Sequence, residues 1–167
     1  MTVATTEKTG GPRSSVRSVA RAGRRLAVET LFESDFGQRT PAAVLERRVE
    51  AADPGPQVEA VARDIIGFVT AHRADIDARI EVAAPAYPVV QLGRIDRALL
   101  RSALGEMLHS ATPTRVVIAE WVALARLYSG EPARRLVNGV LGRIARETGA
   151  DRPDDGQDGS ARKARRP

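Results

Sequence analysis

The stretch GRIDRALLRSALGEML, residues 93–108, carries apolar side chains at helical spacing over more than half of a helix circumference. A helix with so wide an apolar surface needs neighbours on several sides, so we expect it to lie centrally in the fold. Its three arginines, Arg94, Arg97 and Arg101, recur at positions i, i+3 and i+7 on the remaining side. They form either a solvated face or a track for an anionic ligand.

Helical periodicity continues on both sides of this stretch, and strand-like alternation of polar and apolar residues is nearly absent. Prolines and glycines divide the chain into about seven helices joined by short links, so we predict an all-α fold in which successive helices pack together. Thr112 occupies the expected N-cap position of the sixth helix, and Pro113 its first helical position. The predicted helices cover about residues 14–36, 41–53, 57–71, 74–82, 93–110, 113–128 and 132–148.

The composition excludes several kinds of site. The 167 residues include no cysteine, which excludes disulfides, thiolate metal sites and cysteine nucleophiles. No segment is apolar for about 18 residues, and the N-terminus lacks a secretory signal, so we expect a cytoplasmic protein without a membrane span. Residues 1–13 and 149–167 are small, polar or charged, and we predict that they are disordered tails around one domain at 14–148.

The net charge of +5 is concentrated near the N-terminus. Residues 1–25 carry six basic residues and one acid, whereas residues 26–148 carry 15 arginines and 16 acids. Basic residues concentrated on one segment favour binding to a phosphate backbone, although a solvated basic tail has the same composition.

On a helical wheel, the first predicted helix has an apolar side and a cationic side. Val28 and Phe32 continue the cationic stripe toward the end of the helix. Single-stranded RNA is commonly bound by cations on phosphates and by rings that stack on bases. Phe32 is therefore a candidate for RNA stacking or for a protein contact, or it packs beneath a neighbouring helix. The cationic side comprises Arg17, Arg21, Arg24 and Arg25, and the apolar side comprises Val16, Val19, Ala20, Leu26, Ala27 and Leu31.

In the last three predicted helices, several charged residues and one glycine occupy positions that are unusual for their residue type. Asp96, in a first turn, either stabilises the helix dipole or accepts a salt bridge from a basic partner. Glu120 falls among apolar residues, so we predict that it pairs with backbone donors or with an arginine. Gly139, within the last helix, predicts the close approach of another helix. Arg134 and Arg135 lie where cations oppose the helix dipole, which favours a role in phosphate contact.

Motifs for catalysis or cofactor binding are missing from the chain. It has no phosphate-binding Gly-Lys-Ser/Thr loop, no dinucleotide-binding glycine fingerprint and no Gly-x-Ser-x-Gly elbow. We therefore expect a binding protein that works without a cofactor or metal, rather than an enzyme.

The chain resembles the NusB family of bacterial transcription antitermination factors in four stretches: RRLAVETLF (24–32), GRIDRALLRSALGEML (93–108), TPTRVVIAEWVALARLYSGE (112–131) and RRLVNGVLGRI (134–144). The resemblance runs in register over about residues 17–147. It implies two small helical bundles packed side by side and a non-enzymatic function. Family members pair with the ribosomal protein NusE and bind the boxA element of nascent RNA. They then help RNA polymerase to read through terminators, mainly in ribosomal RNA operons.

The resemblance also implies which residues make these contacts. RNA contact is implied for Arg17, Arg21, Arg24, Arg25, Arg101, Arg135 and Leu136, and contact with NusE for Phe32 and Asp96. Family members occur as monomers and as dimers, so a homodimer is compatible with the resemblance. Two other hypotheses stay open. One is an RNA-binding domain related to the N-terminal part of ribosomal RNA cytosine methyltransferases. The other is a structural homo-oligomer, because Trp121 lies either in the core or in an interface.

Overall fold

The structure is a computed structural model that describes residues 12–149, which form seven α-helices and one short 3₁₀ turn without β-strands, as predicted. None of these helices is both long enough and apolar enough to cross a membrane. Residues 1–11 and 150–167 of the predicted tails lie outside the described range, whereas residues 12 and 13 belong to the first helix. The helices are α1 (Pro12–Ser34), α2 (Pro41–Ala52), α3 (Pro56–Ala71), α4 (Arg73–Ala83), α5 (Arg94–His109), α6 (Thr114–Ser129) and α7 (Glu131–Glu147), and the 3₁₀ turn is Val89–Gln91.

Prolines and capping groups set the starts of the helices. The Thr40 side chain accepts a hydrogen bond from the N–H of the third residue of α2, and Pro41 occupies the first position, where an N–H would have no partner. α6 begins one residue later than predicted. Pro113 is its N-cap, because a ψ of 132° is extended, and its carbonyl accepts the first helical hydrogen bonds. The prediction that Thr112 caps this helix is therefore wrong.

α5 lies at the centre of the fold, as its wide apolar surface predicts. It packs against α1 and α3 and also against α4, α6 and α7. Every residue from 98 to 106 is buried. α1, α2 and α3 pack on one another and form the N-terminal bundle, while α7 packs against α6 and α4 and completes the C-terminal bundle. α5 therefore belongs to both bundles, in the side-by-side arrangement that the resemblance implies.

The buried face of α1 differs from the predicted apolar side. Ala27 is fully buried and Leu31 nearly so, as predicted, but Arg24 and Val28 are buried as well, and Val16 is 67% exposed. α1 packs mainly against α2, α3 and α5, so its buried arc is shifted toward Arg24 and Val28. The prediction that these two residues lie on the exposed cationic side is therefore wrong.

α1 and α3 come into close contact at Gly23. A Cβ at this position would lie 2.5 Å from the Val61 Cβ and 3.0 Å from the Val58 carbonyl oxygen, which leaves room only for glycine. The sequence predicts such an approach at Gly139 of α7 instead. That prediction is wrong, because no contacting atom lies within 4 Å of the position that a Cβ would take there, and Gly139 lines an open groove.

Candidate nucleic-acid interface

Three of the four arginines predicted on the cationic side form an exposed line along α1. Arg17, Arg21 and Arg25 recur every four residues, so they lie about 6 Å apart along the helix axis. All three are exposed, and 82% of the Arg17 side chain is accessible to solvent. A guanidinium can bind a phosphate through two parallel N–H groups. We call these three residues the arginine row.

Arg24, the fourth arginine, is buried and does not belong to the arginine row. Its Nε and Nη2 donate to the two carboxylate oxygens of Glu106 at 2.8 and 2.7 Å. Trp121 Nε1 donates to the same carboxylate at 2.7 Å, so the three side chains link α1, α5 and α6. The assignment of Arg24 to the RNA surface is corrected, because its guanidinium is buried and held by a carboxylate inside the protein, out of reach of a phosphate. Trp121 is also fully buried and belongs to the core.

Two members of the arginine row are in contact with α6. Arg17 Nη2 lies 3.5 Å from Glu120 Oε1, which confirms the prediction that Glu120 pairs with an arginine. Arg25 Nε donates to the Tyr128 hydroxyl at 3.3 Å, and this hydrogen bond raises the pKa of Arg25. Both arginines nevertheless stay exposed, so the row is accessible to a ligand.

An aromatic patch follows the arginine row at the end of α1. Phe32 is partly buried, packs against the core and meets Phe36 edge-on, with ring centroids 5.4 Å apart. Phe36 is 53% exposed, and the Arg94 guanidinium lies 4.6 Å from the centroid of its ring. Phe36 therefore offers a larger aromatic surface than Phe32. Sequence reasoning missed Phe36, although a second phenylalanine four residues after Phe32 was a usable signal.

Arg101, which the resemblance places on the RNA surface, is buried in a cluster of ion pairs. Its Nε and Nη2 donate to the Asp77 carboxylate at 2.7 and 2.8 Å. Asp35 accepts a hydrogen bond from Arg97, and its carboxylate lies 3.6 Å from both Arg101 and Arg73. These pairs join the end of α1 to α4 and α5. The assignment of Arg101 to the RNA surface is corrected, because its donors are engaged inside the protein.

Asp96, Arg135 and Leu136 line one groove of about 780 Å³ between α7 and the segment that joins α4 to α5. Leu136 packs against the core, whereas 72% of the Arg135 side chain is exposed. Asp96 Oδ1 is buried and has no hydrogen-bond partner among the described residues. Tyr87 is 55% exposed and also lines the groove, but it lies in a link without periodicity, so the sequence offered no signal for it. The groove thus combines apolar walls with one carboxylate and one guanidinium.

Glu131, the first residue of α7, lies close to three arginines and partly balances their charge. Arg134 Nη2 lies 2.6 Å from its carboxylate, and nitrogens of Arg126 and Arg135 lie 4.0 and 3.9 Å away. The hydrogen bond from Arg134 lowers the pKa of Glu131. The predicted electrostatic disadvantage of Arg134 and Arg135 is therefore offset, and their position at the helix start alone does not argue for phosphate contact.

The known proteins that are similar to this chain belong to one family. Residues 21–146 match the NusB family. The transcription antitermination protein NusB of Roseiflexus castenholzii is 39% identical over 124 residues, which cover 72% of this chain and 87% of that protein. The NusB of Kineococcus radiotolerans is 36% identical over 126 residues, which cover 75% and 91%.

Two solved structures show the same architecture. T. maritima NusB matches with a TM-score of 0.71 and 28% identity, over 77% of this chain and 91% of that chain. A structure of the antitermination factors NusB and NusE in complex with dsRNA matches with a TM-score of 0.69 and 26% identity, over 78% of this chain and 98% of that chain. Since the family match spans most of the described helices and the curated relatives agree with it, this chain belongs to the NusB family.

Proposed function

We propose that this chain is a non-enzymatic transcription antitermination factor that binds boxA-type leader RNA together with the ribosomal protein NusE. In this role it promotes transcription of ribosomal RNA operons in the cytoplasm, and its link to RNA polymerase is indirect, through the assembled complex. The observation that carries the proposal is the exposed arginine row on α1. A solved relative in complex with NusE and dsRNA supports it.

The arginine row supplies the phosphate contacts. A guanidinium stays charged at every physiological pH and fits a phosphate through a planar fork of donors. Each contact releases condensed counterions from the RNA, so the affinity decreases as the salt concentration rises. Arg135 is a further candidate for phosphate contact because most of its side chain is exposed, and Leu136 lies beside it.

Phe32 and Asp96 supply the contact with NusE. The aromatic patch connects the two. The Phe36 ring contacts Phe32 on one side and Arg94 on the other, and Arg94 precedes Asp96 by two residues in α5. A buried carboxylate oxygen without a hydrogen-bond partner is costly. Asp96 also lines the groove, so a basic side chain of NusE that enters the groove would be attracted to its carboxylate, which favours a basic partner.

The proposal is tested by replacing Arg17, Arg21 and Arg25 together with glutamine. Labelled boxA RNA is titrated with the parent and the variant at several salt concentrations, with and without NusE. We expect the slope of log affinity against log salt to become shallower by about 2, because each phosphate contact to a single strand contributes about 0.7. NusE is expected to raise the affinity of the parent for the RNA.

The matched control replaces three other partly exposed arginines, Arg63, Arg79 and Arg143, with glutamine. Each of them pairs with an acid one turn away on its own helix, and together they change the net charge by the same amount. We expect this control to retain the salt slope of the parent. An unchanged slope in the arginine-row variant would contradict the proposal.

A further inference from the structure

Arg25 and Glu29 are four residues apart on α1 but do not pair directly. An arginine and a glutamate at this spacing are neighbours on a helix surface and usually attract each other. Here the hydroxyl of Tyr128, from α6, lies between them. Arg25 Nε donates to this hydroxyl at 3.3 Å, and the hydroxyl donates to Glu29 Oε1 at 2.5 Å.

The Glu29 carboxylate is also held from its other side. Arg48 of α2 donates from Nη1 to Glu29 Oε2 at 3.2 Å and from Nε to Glu33 Oε2 at 3.1 Å. Burial, together with the hydrogen bond to Glu29, raises the pKa of Tyr128, so its hydroxyl keeps the proton that it donates at neutral pH. Glu29 is therefore held between α6 and α2 and does not turn toward Arg25.

This arrangement leaves Arg25 attached at one atom only. Its Nε is engaged by Tyr128, and no residue between 15 and 149 accepts a hydrogen bond from its two terminal nitrogens. Those nitrogens form one edge of the planar guanidinium, and this edge can bind a phosphate through two hydrogen bonds. If Glu29 paired with Arg25 directly, the carboxylate would compete with the phosphate for the same donors.

We propose that Tyr128 is a positioning residue for RNA binding. Its hydroxyl separates Glu29 from Arg25 and holds the guanidinium by Nε, so that the terminal nitrogens are presented to a phosphate of the RNA. This inference rests on the proposed function, because it assumes that the arginine row binds RNA. It assigns to α6 a part in an interface formed by α1.

The test is a double-mutant cycle that measures RNA affinity and its salt dependence. Tyr128→Phe removes the hydroxyl and keeps the ring, so Arg25 can turn onto Glu29. We expect this variant to bind boxA RNA about threefold to tenfold more weakly, with a shallower salt slope, because one charge-assisted contact is lost. Adding Glu29→Gln removes the competing charge, so we expect the double variant to regain the salt slope of the parent and most of its affinity, although the hydrogen bond to Arg25 Nε stays absent.

The control for the rescue is Glu59→Gln in the Tyr128→Phe background. Glu59 pairs with Arg63 on α3, so this substitution removes the same charge without freeing Arg25. We expect no rescue from it. Thermal unfolding of all variants shows whether weaker binding results from a loss of the fold. Glu29→Gln would not repair such a loss.

Two results would overturn the role of Tyr128 and leave the arginine row intact: RNA binding of Tyr128→Phe equal to that of the parent, or weakened binding that Glu29→Gln does not restore. Failure of the parent to bind RNA would instead overturn the proposed function.

If Tyr128→Phe does not fold, an NMR measurement on the parent replaces the binding test. We then expect the Arg25 Nε proton to exchange with water more slowly than that of Arg21, and equal exchange of the two would overturn the inference.

Discussion

Glu106 accepts three hydrogen bonds in the core, two from Arg24 and one from Trp121. The side chains of the ion pair are only 5% and 6% exposed. Removing one charge of a buried pair leaves the other without compensation, at a cost of about 3–5 kcal/mol. We therefore expect Glu106→Gln to lower the free energy of unfolding by about 3–5 kcal/mol, measured by urea denaturation with circular dichroism.

Glu59→Gln is the matched control, because it makes the same chemical change in an exposed pair. Glu59 lies 2.6 Å from Arg63 on the surface of α3. Exposed pairs at this spacing contribute about 0.3–0.5 kcal/mol, so we expect little change in stability. If Glu106→Gln cost no more than this control, the buried pair would not be the anchor between α1 and α5 that its geometry indicates.

The burial of Arg24 could not be predicted from α1 alone. Its partner lies 82 residues away, and a helical wheel of α1 places Arg24 with Arg21 and Arg25. A usable signal was present on the partner helix. Glu106 follows Ala103 by three residues on the apolar face of the central helix, and a carboxylate there needs a cation. Arg101 is a similar case, since its acid partner is in α4.

At the scale of the helices, the ends were largely predictable because they depend on local signals. Gly37, with a φ of 78°, follows the end of α1, and prolines stand at the first or second position of α2, α3 and α7. The packing partner of each helix has no such local signal. The sequence therefore predicted a close approach at Gly139, whereas the structure has one at Gly23.

The contrast between these two glycines gives a prediction for alanine substitution. Gly23→Ala places a methyl group against Val61 and the backbone of α3, so we expect it to lower the free energy of unfolding by about 1–3 kcal/mol. Gly139→Ala adds the same group in open space within a helix, and we expect a gain of about 0.5–1 kcal/mol. Thermal and urea unfolding measure both. Changes of the same sign would contradict the contact at Gly23.

At the scale of the molecule, burial and ion pairing together decide which arginines remain available to a ligand. Arg24 and Arg101 are held by acids in other helices, and Arg134 is held by Glu131. Arg21 forms no ion pair within the described residues, and Arg25 is bonded there only to a neutral hydroxyl. The sequence therefore predicted the position of the cationic surface on α1, but the choice of its members required the whole fold.

The two bundles share α5, so we expect the domain to unfold in a single transition. Arg24, Glu106 and Trp121 connect α1, α5 and α6 through one carboxylate. If α1 leaves, Glu106 loses the cation that balances its buried charge, and if α6 leaves, Glu106 loses the hydrogen bond from Trp121. Trp121 is the only tryptophan of the chain and lies in α6, so its fluorescence reports on the C-terminal bundle. Far-ultraviolet circular dichroism reports on all the helices.

Coincident urea transitions from these two probes are the expected result for the parent. The Gly23→Ala variant is a sensitive control, because it weakens only the contact between α1 and α3 within the N-terminal bundle. We expect its unfolding transition to move to a lower urea concentration with both probes together, since the loss of stability in the N-terminal bundle is transmitted through α5. A loss of helicity that precedes the change in Trp121 fluorescence would show that the N-terminal bundle unfolds separately. In that case the arginine row would lie on a unit that can open independently of α6.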